Sequence, residues 1–369
     1  MKILGKVIGV AAVLLSLGFA QGAQAQTIDD PASCRSIGGS WMAANPPQRE
    51  NPAAQRYGRC SLRSSYTVPR NTTLRVEIGV ELAVTYGGRL NNDGHIELPN
   101  TAALIVVGGR FFNNGTLYAD NRGEIWYFLG QFVNSGSMDV EGDLFTEPLW
   151  TPQPQSPTDC LDNRGSLRLF SGGNMHNRGC IDSLLSSGML NMDATATLHN
   201  YAQAHFRTGP NDVISGRINN YKEGYVGSAG QTIVTAGAHI ENDGSLKIER
   251  GELRIEDGAT MATNRGGVLT LAGGDFRLDG TYTLKGGVTN ATGGGGAINP
   301  DNMMLGATGQ FLVEGGSTVW AQGNVDIENE GLILLDCLVF WYPPMSLVGN
   351  SLFFRTCRPV PIKPPRTLF

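Results

Sequence analysis

Short runs of alternating apolar and polar residues fill most of this chain, and the phrase Asn-x-Gly interrupts them at regular intervals. The phrase begins at Asn92, Asn113 and Asn134, each 21 residues after the last. A repeat of this length, with short alternating strands and a fixed glycine, is typical of a solenoid whose coils bury their apolar faces only against neighbouring coils. The pattern predicts an all-β fold, a single right-handed parallel β-helix of about a dozen coils.

The phase of the repeat predicts which side chains point inward. The phrase returns at Asn163, Asn177, Asn242, Asn264 and Asn329, with weaker echoes at Asn200 and Asn220. Four residues after the asparagine we expect buried apolar residues: Ile96, Leu117, Met138, Leu167, Ile181 and Leu246. One residue further we expect outward polar or amphipathic residues: Glu97, Tyr118, Asp139, Arg168, Asp182 and Lys247. We expect the asparagines to stack and hydrogen-bond at one corner, where Asn and Gly suit a left-handed bend.

One proline-rich segment breaks the period. The step from Asn134 to Asn163 is 29 residues instead of 21. It contains Trp150 and four prolines, Pro148, Pro152, Pro154 and Pro157. Because proline cannot donate a hydrogen bond to a strand ladder, residues 145–159 are predicted to leave the coil wall as an excursion.

The ends of the chain differ from the repeats. Residues 1–25 combine Lys2 and Lys6 with a short apolar run and a small-x-small site ending at Ala25, the pattern of a secretory signal peptide. We therefore expect a protein exported to the periplasm, cell surface or exterior, without a transmembrane segment. Residues 26–63 are predicted to form an N-terminal cap, residues 64–336 the β-helix, and residues 337–369 a C-terminal cap.

The cysteine count indicates disulfides. All six cysteines follow the predicted signal peptide: Cys34, Cys60, Cys160, Cys180, Cys337 and Cys357. We favour pairing in sequence order, which joins 34 to 60, 160 to 180 and 337 to 357, because the last two separations are 20 residues, close to one coil. Equivalent positions on stacked coils lie about 4.8 Å apart, within the range of disulfide Cα separations. The alternative is a set of free buried thiols.

The N-terminal lead carries a family resemblance. It reads Cys34-Arg-Ser-Ile-Gly-Gly-Ser-Trp41, with Cys60 further on. This Cys-x-x-x-Gly-Gly-x-Trp…Cys pattern, ahead of β-helix repeats, resembles secreted bacterial parallel β-helix proteins of the pectin-lyase-like, adhesin or surface type. The resemblance implies a surface component, and it covers about 30 residues of the lead together with the coil that follows.

Charge and motifs limit the chemistry. The formal net charge is -5, which argues against a nucleic-acid partner. Zinc, nucleotide-phosphate and nucleophile-elbow motifs do not occur in the sequence, so we expect no metal and no cofactor. Glu97, Asp139 and Asp182 are interleaved with Tyr118 and Arg168, as expected of a structural charge ladder more than of a catalytic carboxylate cluster.

The function we expect is that of a non-enzymatic, adhesin-like surface protein that binds carbohydrate or a cell-surface partner. Tyr118, Trp126 and Trp150 are the candidate ligand contacts, because aromatic faces stack on sugar rings. One alternative is a polysaccharide lyase or hydrolase, which a carboxylate cluster in a groove beside residues 145–159 would favour. The other is a purely structural spacer. Oligomeric state stays open.

Overall fold

The chain winds into a parallel β-solenoid in which each coil contributes a strand to each of three faces. The computed structural model describes residues 25–43, 57–147, 160–183, 188–285 and 287–292, and, from residue 301 to residue 356, the strands named below. Fourteen strands stack in register on the first face. The predicted all-β solenoid is confirmed.

The strands fall into three stacks, named in the order in which the chain visits them. Face 1 contains β1 (Ala25–Ile28), β5 (Thr73–Val76), β8 (His95–Leu98), β10 (Thr116–Ala119), β12 (Ser137–Val140), β15 (Ser166–Leu169), β18 (Met189–Met192), β21 (Asn211–Ile214), β24 (Gln231–Val234), β27 (Gly251–Ile255), β30 (Gly274–Leu278), β33 (Asp301–Leu305), β36 (Val325–Asn329) and β39 (Ser346–Val348). Face 2 contains β2 (Gly39–Ala43), β3 (Gly58–Leu62), β6 (Val80–Thr85), the first parts of β9 (Ala103–Asn113) and β11 (Glu124–Asn134), β13 (Asp143–Thr146), β16 (Asn174–Asn177), β19 (Thr197–Asn200), β22 (Arg217–Asn220), β25 (His239–Asn242), β28 (Thr260–Thr263), β31 (Thr281–Leu284), β34 (Gln310–Val313), β37 (Leu332–Asp336) and β40 (Leu352–Thr356). Face 3 contains β4 (Ser65–Val68), β7 (Arg89–Asn92), the last parts of β9 and β11, β14 (Leu161–Asn163), β17 (Cys180–Asp182), β20 (His205–Arg207), β23 (Tyr225–Ser228), β26 (Ser245–Ile248), β29 (Val268–Leu271), β32 (Val288–Thr292), β35 (Thr318–Gln322) and β38 (Phe340–Tyr342).

The N-terminal segment closes the first coil. The single described helix, α1 (Pro31–Ser36), begins after Asp30, whose carboxylate accepts hydrogen bonds from two backbone amides of the first turn. Strand β2 pairs antiparallel with β3, whereas β1 and β3 already pair in parallel with β5 and β6. A disulfide between Cys34 and Cys60, with a Cα separation of 5.5 Å, joins α1 to β3.

The interior follows the predicted phase. The six residues expected inside are all buried: Ile96, Leu117, Met138, Leu167, Ile181 and Leu246. Wider side chains fill the same core, where the rings of Phe111 and Phe132 meet edge-on with centroids 4.8 Å apart. Residues one position further on face away from this core, and arginines cover two of them. Arg168 contacts Asp139 at 2.6 Å, and Arg207 lies 3.7 Å from Asp182.

Buried asparagines stack at the corner between faces 3 and 1. Asn92, Asn113, Asn134 and Asn163 form this first column, and each Nδ2 donates to the Oδ1 of the next asparagine at 2.7–2.8 Å. Each Nδ2 also reaches a backbone carbonyl beyond the next bend, as from Asn113 to Ser137 at 2.8 Å. The stacked asparagines therefore bond both along the solenoid and across the corner. The predicted column is confirmed for its first four members.

The later asparagines belong to a different corner. Asn177, Asn200, Asn220 and Asn242 form a second column between faces 2 and 3, with Nδ2–Oδ1 distances of 2.7–2.8 Å. The expectation of one corner for all the Asn-x-Gly phrases is therefore wrong. Thr146 starts the second column and Ser183 ends the first, so the two overlap where residues 148–159 connect β13 to β14.

The glycine of the phrase is required by close packing and not by backbone handedness. A Cβ on Gly115 would lie 2.0 Å from the carbonyl oxygen of Gly94, and one on Gly136 would lie 2.0 Å from that of Gly115. Neither these glycines nor Asn92, Asn113 and Asn134 have a positive φ. The expected left-handed bend is therefore wrong at these coils, where successive corners stack too closely for any side chain.

The breaks in the repeat differ in part from the expectation. Phe145 and Thr146 were predicted to begin the excursion, but they belong to β13 and pair with His176 and Asn177 of β16. Residues 148–159, which include Trp150, lie outside the described residues. Within the predicted C-terminal cap, strands β38, β39 and β40 pair in parallel with β35, β36 and β37. The limits of the signal peptide and of the two caps stay predictions.

The second disulfide lies where the excursion rejoins the wall. Cys160 and Cys180 are bonded, with Cα atoms 4.5 Å apart on neighbouring coils. Two of the three predicted pairs, 34 with 60 and 160 with 180, are thereby confirmed. Cys337 and Cys357 lie outside the described residues.

Candidate functional site

The three predicted ligand contacts do not form one platform. Tyr118 lies on face 1, paired with Glu97 and Asp139 of the neighbouring strands. Burial and the nearby carboxylate of Glu141 raise the pKa of its phenol to about 12. Trp126 lies on face 2, so the structure places these two rings on different sides of the solenoid.

Face 1 carries the charge ladder expected from the sequence. Arg168 donates to both oxygens of Asp139 at 2.6 Å, a bidentate pair, and Arg75 lies 3.2 Å from Glu97. Hydrogen bonding to Asp139 raises the pKa of the Arg168 guanidinium. Opposite charges on adjacent strands therefore hold this face together.

Face 2 carries a continuous stack of outward-facing rings. This aromatic column consists of Trp126, Phe145, His176 and His199 on four successive strands, with centroid separations of 3.9, 4.9 and 5.1 Å. Neighbouring planes differ by only 8–14°. Because each ring lies flat on the next, the ring faces are covered by one another and only the edges point to solvent.

Two tyrosines continue the stack at the neighbouring corner. Tyr201 and Tyr221 directly follow Asn200 and Asn220 of the second column, and their rings stack with centroids 5.1 Å apart. Arg178 covers the outer face of Tyr201, with its guanidinium carbon 4.7 Å from the ring centroid. A cation thus closes this stack at one end.

Hydrogen bonds tie the tyrosines to the imidazoles. The Tyr201 hydroxyl lies 3.1 Å from His176 Nδ1, and the Tyr221 hydroxyl lies 2.9 Å from His199 Nδ1. Burial is the largest cause lowering the pKa of both histidines, which favours neutral rings. The imidazoles therefore act as stacking and hydrogen-bonding groups that hold the tyrosine rings in place.

The stack ends at an open pocket. Tyr221 is 36% exposed and lines a depression of about 240 Å³ together with Arg217, Asn219, Asn220, Glu241 and Asp243. Sites for drug-sized ligands measure roughly 300–1,000 Å³, so this pocket suits a single ring. It joins one aromatic ring to several polar side chains, the usual composition of a site that orients a small polar ligand.

The polar wall of the pocket is a hydrogen-bonded network. Arg217 donates to Asn219 at 2.8 Å and to Glu241 at 2.9 Å. Asn264 donates to Glu241 at 3.2 Å and to Asp243 at 2.7 Å. The bonds from Arg217 and Asn264 lower the pKa of Glu241 and keep it ionised.

Face 3 brings further charged residues together beside the excursion. Arg207 contacts Glu249 at 2.6 Å and lies near Asp182, and the hydroxyl of Tyr225 donates to Glu249. The hydrogen bonds from Tyr225 and Arg207 outweigh burial and lower the pKa of Glu249. The carboxylates of this cluster are thus drawn into ion pairs with arginine.

The pocket residues were missed from the sequence because the repeat was read only at the positions four and five residues after each asparagine. The residues on either side of the asparagines carry the signal: histidine precedes Asn177 and Asn200, and tyrosine follows Asn200 and Asn220. Identical residues at equivalent positions of successive coils predict stacking once the second corner is recognised.

Metal and membrane features were also sought. Within the described ranges, no group of three or more His, Cys, Asp or Glu side chains is arranged to hold a metal ion. The part of the chain that the structure describes contains no helix with the length and hydropathy needed to cross a bilayer.

Comparison with known proteins adds little to this picture. No protein-family model and no curated protein matches the chain. Among solved structures it is similar to the crystal structure of a TibC-catalyzed hyper-glycosylated TibA55-350 fragment, at 14% sequence identity and a TM-score of 0.34, covering 84% of this chain and 96% of that chain. A likeness this distant carries no argument about function.

Proposed function

We propose that this protein is a secreted, non-enzymatic, adhesin-like solenoid that binds carbohydrate in the pocket beside Tyr221. The observation that carries the proposal is the position of that ring. It ends the aromatic stack, it is 36% exposed, and Arg217, Asn219 and Asp243 surround it. Sugar rings present C–H groups to aromatic faces and hydroxyl groups to polar side chains, and this pocket offers both kinds of partner.

The rigid stack behind Tyr221 supports a binding role. Tyr201 packs against one face of the ring, and His199 holds the hydroxyl. The ring is therefore fixed before a ligand arrives, which reduces the entropy lost on binding. Trp126 takes a supporting part in this proposal, at the far end of the aromatic column, and Tyr118 belongs to the charge ladder of face 1.

The secreted location rests on the predicted signal peptide and on the two disulfides. Disulfides persist in oxidising compartments such as the periplasm or the cell exterior. A stiff parallel solenoid suits a surface component, because it presents a side pocket at a fixed place along the molecule.

The non-enzymatic part of the proposal rests on how the outward carboxylates are used. Asp139 is bound by Arg168, and Glu249 is bound by Arg207 and Tyr225. General acid–base catalysis needs a carboxyl group that is accessible and poised near the working pH, whereas these groups are held as ions in pairs. Release of reducing or unsaturated ends from any glycan that the protein binds would contradict this part.

A glycan-array screen tests the binding proposal. The purified secreted protein is applied beside the Tyr221→Ala variant and a Tyr86→Ala control, which removes a tyrosine that is 69% exposed elsewhere on the solenoid. We expect wild type and the control to give the same glycan signals and Tyr221→Ala to lose them, by about tenfold or more in affinity. A blank array for wild type, or full binding by Tyr221→Ala, would contradict the proposal.

A further inference from the structure

The charges of the Tyr221 pocket do not balance. Arg217 and Glu241 form an ion pair at 2.9 Å, so together they contribute no net charge. Asp243 accepts its hydrogen bond from Asn264, a neutral amide, at 2.7 Å. Among the described residues no lysine or arginine lies within ion-pairing distance of Asp243. One negative charge of the pocket therefore remains without a cationic partner.

The unbalanced carboxylate lies next to the aromatic ring. Asp243 follows Asn242 as Tyr221 follows Asn220, and β22 pairs in register with β25, so the two residues occupy equivalent places on adjacent coils. Adjacent coils are separated by about 4.8 Å. Tyr201 covers one side of the Tyr221 ring, and Asp243 lies on the coil that follows the other side. A cation bound there would meet both an aromatic face and a carboxylate.

We infer that the pocket selects a sugar that carries a positive charge, an amino sugar whose amine is not acylated. This inference rests on the proposed function and names the class of glycan for the same site. An ammonium group would pair with Asp243 while the sugar ring lies against Tyr221, and the Arg217–Glu241 pair and Asn219 would receive hydroxyl groups. Uronic acids and sulfated sugars would place a second negative charge beside Asp243, which disfavours them.

The test compares two forms of one oligosaccharide by calorimetric titration of the full secreted protein. A glucosamine oligomer with free amines and the fully N-acetylated oligomer of the same length differ only in charge and in the acetyl group. We expect the free-amine oligomer to bind wild type about tenfold or more tightly than the acetylated oligomer at a pH where the amine is protonated. Asp243→Asn should remove this preference, and Tyr221→Ala should weaken both ligands.

A matched control exists at the other corner. Asp93 follows Asn92 and accepts a hydrogen bond from Asn114 at 2.9 Å, the same arrangement as Asp243 with Asn264. Asp93→Asn makes the same chemical change away from the pocket, so it should leave the preference for the free amine intact. Loss of the preference in Asp93→Asn would overturn the assignment of the charge to Asp243.

The other outcomes separate the inference from the proposed function. If the acetylated oligomer binds as tightly as the free amine, the inference is wrong and carbohydrate binding stands. If wild type binds neither oligomer and the glycan array is blank, the proposed function itself is wrong. If an oligolysine peptide binds as tightly as the amino sugar and depends equally on Asp243, the pocket recognises cations in general, and the assignment to a sugar is overturned.

Discussion

At the corner between faces 3 and 1, four buried asparagines stand in one column, and at the corner between faces 2 and 3 four others do the same. Inside the solenoid the two columns make equivalent bonds, from Nδ2 to Oδ1 and from Nδ2 to a backbone carbonyl. Outside they differ. The residues that follow the first column are Asp93, Asn114, Ser135 and Arg164, and those that follow the second are Arg178, Tyr201, Tyr221 and Asp243.

This difference separates what maintains the fold from what we propose binds ligand. The buried asparagine is repeated because every coil needs the same bonds at the bend. The residue outside it is free to vary, and at the second corner it supplies rings and charges that stack across coils. The interior of the repeat therefore encodes the solenoid, while the departures from repetition on the surface mark the candidate site.

The largest effect is expected from removing one member of each column. Asn113→Ala and Asn220→Ala should each lower the free energy of unfolding by roughly 3 kcal/mol, because a buried polar group left without a partner costs about 1–3 kcal/mol. Only Asn220→Ala should also weaken glycan binding, since Asn220 lines the pocket and carries Tyr221. Urea unfolding and calorimetric titration measure the two quantities.

The control for that experiment is Asn114→Ala. Asn114 is exposed, and its Nδ2 donates to Asp93 at the surface, so its loss should change the unfolding free energy by less than about 0.5 kcal/mol. Equal stability losses in Asn113→Ala and Asn114→Ala would contradict the distinction between the interior and the exterior of a corner.

A smaller effect is expected at the first position of each column. Thr146 donates to Asn177 Oδ1 at the start of the second column. Val68 occupies that place before Asn92, whose buried Oδ1 has no hydrogen-bond partner. Val68→Thr should therefore stabilise the protein by about 1 kcal/mol, and Thr146→Val should destabilise it by a similar amount.

The thermal unfolding midpoint checks both substitutions of this reciprocal exchange. A destabilised Val68→Thr variant would show that Asn92 gains nothing from a hydroxyl donor above it. An unchanged Thr146→Val variant would show that the second column does not depend on its first donor.

The smallest effect concerns pH and is confined to the second corner. Burial lowers the pKa of His176 and His199 in the folded protein, below the ordinary value of 6.5. Their contribution to stability is fully present above pH 6.5 and is lost as the pH falls from there towards the folded pKa values, because the unfolded chain takes up protons first. Thermal unfolding midpoints recorded as a function of pH measure this loss.

A His176→Gln/His199→Gln double variant should lose part of this acid sensitivity. Burial also raises the pKa of Asp212, to about 6, so its contribution to stability grows as the pH falls below that value. Asp212 is present in wild type and in the double variant, so its effect cancels in the difference between them. Parallel pH profiles of the two proteins would contradict the assignment to the histidines.

Much of the fold could be predicted from the sequence because interior positions obey one rule. Asn92, Asn113 and Asn134 recur at 21 residues, and the apolar residues that follow them, such as Leu117, are buried as expected. The switch between corners was also visible, since Asn163 and Asn177 are only 14 residues apart, too close for one coil. Reading both as one column overlooked this spacing.

The candidate site could not be predicted in the same way, because it depends on register between coils. The stacking of Phe145 on His176 spans the excursion, so sequence distance does not show that they are neighbours. Tyr118 and Trp126 were chosen as outward aromatics, and only the arrangement of faces shows that they lie on different sides. Exposure of Tyr221 depends on Asp243, a small residue, following it on the next coil.

A crystal structure of the protein with a bound amino-sugar oligomer tests the central claim most directly. We expect a sugar ring against Tyr221, with its amine at the carboxylate of Asp243 and its hydroxyl groups near Arg217 and Asn219. A sugar bound instead beside Tyr118 on face 1, with the Tyr221 pocket empty, would contradict the proposal that the second corner is the binding site.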